Sequence, residues 1–70
     1  MYLRTQNEEI VIDLEKCTSV VAEEGSVYFN IDNGTSFLGG TYRNQERAKE
    51  VIGEIYAVID VTSRYDMPVV

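Results

Sequence analysis

The stretch from Asn44 to Asp60 constrains the fold more than any other part of this 70-residue sequence. Ala48, Val51, Ile52, Ile55, Tyr56 and Ile59 recur at the i, i+3, i+4, i+7 spacing that gathers side chains on one side of an α-helix. Gln45, Glu46, Lys49, Glu50, Gly53, Glu54 and Asp60 fall on the other side. Asn44 suits the N-cap, because its side-chain oxygen can accept a hydrogen bond from a backbone N–H left free at a helix start. Glu46 sets negative charge against the positive end of the helix dipole. About four turns with one apolar face are not stable alone in water. The rest of the chain must supply a surface to cover that face.

The preceding residues read as strands. Ile10, Ile12 and Leu14 alternate with Glu9, Val11 and Asp13, the period of a half-buried strand. Leu3 and Thr5 either extend this strand backward or form a short one of their own, with Gln6-Asn7-Glu8 as a turn. Ser19 to Ala22 reads as a second strand and Ser26 to Asp32 as a third, joined by a tight turn at Glu24-Gly25. That turn sets Val20 opposite Phe29 and Ala22 opposite Val27. Asn33-Gly34 is the preferred pair for a type I′ hairpin, and a two-residue loop there sets Phe29 opposite Leu38 and Ile31 opposite Ser36. Gly39-Gly40 interrupts the returning strand, which marks a bulge, a bend or a close backbone approach and lets the strand curl under the helix.

The expected fold is therefore α+β, a single domain over residues 1–70. An antiparallel β-meander of three to five strands within residues 2–42 precedes one C-terminal amphipathic helix over 44–60, packed on a sheet face. The helix stripe should meet Ile10, Ile12, Leu14, Val20, Val27, Phe29, Ile31 and Leu38. The tail, 61–70, either packs as an extended strand or reaches for a partner.

Composition narrows the chemistry. With no histidine there is no Ser-His or Cys-His pair, and the single Cys17 permits neither an internal disulfide nor a zinc site. Cys17 reads as a small buried hydrophobe. Glu8-Glu9 and Glu23-Glu24 lie beside turns, where water leaves carboxylates with ordinary acidity. Asp32-Asn33-Gly34-Thr35 lacks the later ligands of a calcium loop, and Gly39-Gly40 lies too far from the helix start to cradle a phosphate. The reading is of a protein that is not an enzyme and carries no cofactor or metal. Twelve acidic against six basic residues, a net charge of −6, argue against nucleic acid as a partner. No apolar run approaches a membrane span, and the polar Met1–Glu9 segment lacks the core of a signal peptide. A cytoplasmic location is expected.

Phe37-Leu38-Gly39-Gly40-Thr41-Tyr42, Gln45 to Val51, Ile55, the opening Tyr2-Leu3-Arg4-Thr5-Gln6 and the late Tyr65-Asp66-Met67-Pro68 carry a resemblance. Together they resemble small uncharacterised proteins encoded by phages and prophages of Gram-positive bacteria. The resemblance implies a genomic context and no catalytic residue.

Two functional expectations follow from the residues themselves. A chain this short buries a limited core, so self-association is the open route to further burial once disulfide and metal are excluded. The first expectation is thus a non-catalytic protein-interaction module working as a homodimer or in a larger assembly. Gly53 and Ala57 form a small-residue patch on the helix, and Tyr28, Tyr65 and Met67 complete the candidate interface. Tyr56 is assigned to the core, and Tyr2, Tyr28, Tyr42 and Tyr65 to edges or interfaces. The alternative is a small acidic inhibitor or nucleic-acid mimic that binds a host protein. Glu46, Glu50, Glu54 and Asp60 line a broad side of the helix, although Lys49 interrupts them. The turn at Gly34 yields a direct test of the fold. Gly34→Val should cost about 1–3 kcal/mol, the range for a strained backbone position. Chemical denaturation should show a lower midpoint at nearly unchanged slope.

Overall fold

Glu24 and Gly25 sit at φ of 50° and 84°, the geometry of a tight two-residue hairpin turn, in the computed structural model of the chain, which describes residues 1–32 and 34–70. The turn joins β3 (Cys17–Glu23) to β4 (Ser26–Ile31). Val20 faces Phe29 and Ala22 faces Val27, the register that the alternation requires. β5 (Ser36–Thr41) returns beside β4 to complete a three-stranded antiparallel sheet in the order β3-β4-β5.

The β4–β5 pairing departs from the expected register. Phe29 lies opposite Phe37, and Tyr28 opposite Leu38, instead of Phe29 opposite Leu38. Ile31 pairs with Thr35, whose carbonyl accepts from the Ile31 N–H at 2.8 Å, instead of with Ser36. Three residues, not two, separate that closing pair. The assignment of a type I′ turn to Asn33-Gly34 falls on Asn33, which lies outside the described residues. Gly34 itself has φ +86°, the left-handed region on which the strain argument rests. A bulge between Val27 and Tyr28 then absorbs the one-residue shift, so Val27 faces Gly40 and Ser26 faces Thr41. Gly39 is the residue taken up by that bulge. The Phe29 ring, fully buried, lies so close over Gly39 that an added Cβ would collide with its Cε2 and come within 2.8 Å of its Cδ2.

The remaining strands form a second sheet, so the layout is α+β without a single continuous meander. β1 (Tyr2–Arg4) and β2 (Val11–Asp13) are antiparallel, with Gln6 and Asn7 in the turn between them. Leu3 therefore belongs to a strand of its own. β6 (Arg64–Asp66), from the tail, pairs parallel with β1 and makes β1 the central strand. The helix α1 (Gln45–Val58) is consequently internal to the fold and not its last element. Asn44 caps it as expected, its Oδ1 accepting from the Arg47 N–H at 2.8 Å. The Gln45 side chain ties the helix start to the β3–β4 turn, accepting from Gly25 N–H at 2.8 Å and donating to the Ala22 carbonyl at 3.1 Å.

The core lies where α1 crosses the inner face of β3 and β4 and where β1 closes in beside them. Leu3, Val27, Phe29, Ala48 and Val51 are fully buried, with Ile12, Leu14, Tyr42, Ile55 and Met67 around them. Among the described residues no buried side-chain polar atom lacks a partner. Several positions differ from expectation. Leu38 is half exposed because the shifted register turns it to the outer face, and Ile10 lies outside β2 at the sheet's margin. Tyr42, assigned to an edge or interface, is 7% exposed, and Tyr56, assigned to the core, is 82% exposed. Because Phe29 occupies the space over Gly39, Gly39→Ala should destabilise the domain by about 1–3 kcal/mol through overpacking. Urea denaturation would read this as a lowered midpoint. A variant as stable as the parent would mean that the bulge opens to admit a methyl group.

Candidate interaction surface

Helix α1 divides its surroundings unequally. Ala48, Val51 and Ile55 face β3 and β4 and are buried. Ile52 packs against the core only in part, Ile59 is 40% exposed and Tyr56 is the most exposed side chain of the stripe. The apolar arc is thus wider than the sheet that covers it, and Ile52, Tyr56 and Ile59 spill over one flank. Gly53 is exposed, and a Cβ built on it would meet nothing within 4 Å. Ala57, one turn on, is exposed too. Gly53, Tyr56 and Ala57 share this outer side of the helix by their spacing.

The chain's tail covers the opposite flank. Tyr65 Oη donates to Glu54 Oε1 at 3.0 Å, and Arg47 Nη1 donates to Glu54 Oε2 at 3.0 Å and to Glu50 Oε1 at 3.3 Å. The other edge of the guanidinium, Nε and Nη2, grips the Val70 carbonyl oxygen at 3.2 and 3.0 Å. The Arg47 guanidinium carbon lies 5.8 Å from the Tyr42 ring centre, and Tyr42 Oη donates to the Pro68 carbonyl at 2.9 Å. Burial pushes the Tyr65 phenol well above its ordinary value, and the hydrogen bond to Glu54 pushes it further. Burial also raises Tyr42, while the hydrogen bond to Glu54 raises Arg47. These groups form a seam that holds the tail to the helix. Both phenols keep their protons at neutral pH and act as hydrogen-bond donors, Tyr65 to Glu54 and Tyr42 to the Pro68 carbonyl.

The predicted interface residues therefore separate. Gly53 and Ala57 lie together on the open flank. Tyr65 is half-buried in the tail seam, and Met67 is 4% exposed, its Cε packed near Gly39 and Phe29, so it belongs to the core. Tyr28 lies on the outer face of the β3-β4-β5 sheet, in a row with Val21 and Leu38 directly opposite it on either side. The sequence reading missed this row, because it depends on the bulge that brings Leu38 outward. It also missed Tyr56 and Ile59 as surface, since a helical stripe reads as core wherever it occurs.

Other surfaces hold less chemistry. A groove of about 480 Å³ on the β2-β1-β6 sheet is lined by Tyr2, Arg4, Val11, Arg64, Tyr65 and Asp66. Arg4 is engaged there by Asp66 at 3.1 Å and by Glu8 at 3.6 Å, so the charges balance locally. Cys17 is half-buried; burial raises its thiol, Asp13 raises it further, and Sγ lies 3.9 Å from the Asp13 carbonyl. Such a thiol is a poor nucleophile at neutral pH. Among the described residues no group of three or more metal-ligating side chains comes together, and no helix is long and apolar enough to cross a membrane.

Comparison with protein-family models, with curated proteins and with solved structures gave no match to this chain. The functional reading therefore rests on the surface alone.

The tail seam predicts an alkaline weakness. Tyr42 and Tyr65 hold their protons more tightly folded than at the unfolded value of 10.0. Stability from them is complete below pH 10 and falls as pH rises above it, because the folded form binds the extra proton. The midpoint of urea unfolding should hold to about pH 10 and then decline, and Tyr65→Phe should flatten that decline. An unchanged slope in Tyr65→Phe would remove Tyr65 from the seam's energetics.

Proposed function

We propose that this chain is a non-catalytic protein-interaction module that acts by self-association. The observation that carries the reading is the uncovered edge of the α1 apolar stripe, Tyr56 and Ile59 beside the partly covered Ile52, with Tyr56 at 82% exposure. An apolar side chain that the chain's own sheet does not reach gains its burial only from another surface. The small size supports the reading, because a domain this short buries a modest share of its apolar surface alone. The absence of histidine removes the commonest acid–base and nucleophile-activating group. The alternative, an acidic mimic for a host protein, draws less support from the helix, where Glu50 and Glu54 turn towards Arg47 instead of standing free.

Self-association makes stability depend on concentration. The melting temperature should rise across a hundredfold increase in protein concentration, and sedimentation at micromolar concentration should show a species of twice the monomer mass. A monomer of constant melting temperature across that range would overturn the reading.

A further inference from the structure

The exposed side of α1 is complementary to itself when turned end for end. Lys49, Gly53, Tyr56 and Asp60 succeed one another at steps of four, three and four residues, which places them in one line along the helix. The first three lie within α1, and Asp60 follows one residue after the Ile59 C-cap, which still has right-handed helical angles. The line holds a knob, Tyr56, and a notch, Gly53, where a side chain would meet open space. It also holds a cation at one end and an anion at the other. We infer that two copies of this chain pair through α1 antiparallel, with Tyr56 of each seated on Gly53 of the other and Lys49 facing Asp60 across the twofold axis. The inference rests on the self-association reading and names its surface.

The alternatives are less favourable on the same residues. A parallel pairing would set Tyr56 on Tyr56 and bring Lys49 to Lys49 and Asp60 to Asp60, like against like. The antiparallel arrangement satisfies shape and charge in one register. It also covers the flank that the fold leaves open, because Ile52 and Ile59 border the line on its apolar side. The two end charges are free to take part. Asp60 has no ion-pair partner among the described residues, and Lys49 has only Glu46 at 3.9 Å, with both side chains largely exposed. Such an exposed contact contributes little and is readily exchanged. Ala57 flanks the line with a small side chain that does not obstruct close approach. The outer row of Tyr28 with Val21 and Leu38 lacks this polarity, since its neighbouring rows, Ser19-Asn30-Ser36 and Glu23-Ser26-Thr41, contain no cation.

Sedimentation equilibrium of the full chain at about 1–100 μM, with three kinds of variant, tests the pairing. Tyr56→Ala removes the knob. Gly53→Leu fills the notch with a strong helix former, so the fold itself gains rather than loses. Lys49→Asp and Asp60→Lys each place like charges face to face twice per dimer, and the double variant restores opposite charges in reversed order. Each single variant should raise the dissociation constant about tenfold or more, which is a loss of about 1.4 kcal/mol. The Lys49→Asp/Asp60→Lys double variant should recover most of that loss. A wild-type dimer unaffected by the single variants, or a double variant no better than the singles, would overturn the α1 pairing and leave self-association through another face. A monomeric wild type would overturn both. Circular dichroism melts, which should show every variant folded, separate loss of pairing from loss of fold.

Discussion

The two sheets become one body at a seam made by Gln6, and the rest of the structure depends on that closure. The Gln6 backbone N–H donates to the Gly39 carbonyl at 2.7 Å. Its side-chain Oε1 accepts from the Thr41 N–H at 2.9 Å, and its Nε2 donates to the Thr41 carbonyl at 3.1 Å and to the Val69 carbonyl at 3.0 Å. A side-chain amide thus stands in for a peptide group of a neighbouring strand. It closes this stretch of the β5 edge, whose unpaired backbone groups would otherwise be a site for pairing with other chains. The approach is close enough that β5 carries no side chain there. A Cβ on Gly40 would lie 2.7 Å from Tyr42 Oη and 3.1 Å from Gln6 Cβ. The paired glycines make room for different neighbours, Gly39 receiving the Phe29 ring and Gly40 admitting Gln6 and Tyr42.

From this seam the position of the tail follows, and from the tail the exposure of the helix. The carbonyl oxygens of Pro68, Val69 and Val70 are taken in turn by Tyr42, Gln6 and Arg47. These three side chains come from different parts of the chain: Gln6 after β1, Tyr42 after β5 and Arg47 within α1. Their acceptors lie on consecutive residues, so three separate parts of the chain hold one short stretch of the tail. It runs along the Arg47–Glu54 side of α1. The tail's carbonyls find their donors on that side, and the flank that carries Tyr56 and Ile59 stays bare.

Local signals were legible in the sequence and long-range ones were not. Asn44 as N-cap, the α1 stripe and the Glu24-Gly25 hairpin each involve residues close together, and their physics is complete within a dozen positions. The Gly39-Gly40 interruption was legible as a bulge or close approach, but not the partners that require it. The β1–β6 pairing joins Leu3 to Tyr65 across nearly the whole chain, through strands of three residues each, too short for an alternation to show. Tyrosine gave no warning of its placement. Tyr56 lies on the stripe yet outside the core, because the covering sheet is narrow. Tyr42 lies outside any periodic segment yet inside the core, because Pro68 offers its hydroxyl an acceptor there.

Charge divides the helix in the same way as packing does. Arg47 spends its guanidinium on Glu50, Glu54 and the tail, so the covered flank is electrostatically closed as well as sterically closed. Lys49 and Asp60 are left on the open flank, where Tyr56 and Gly53 lie between them. The tail and Arg47, which grips it while pairing with Glu50 and Glu54, together close one flank and leave the same line of residues open on the other. A random surface would be expected to scatter its knob, its notch and its unspent charges. Here they fall in sequence along about 17 Å of α1 and its C-terminal turn, eleven steps of about 1.5 Å, in an order that reads as its own complement when reversed.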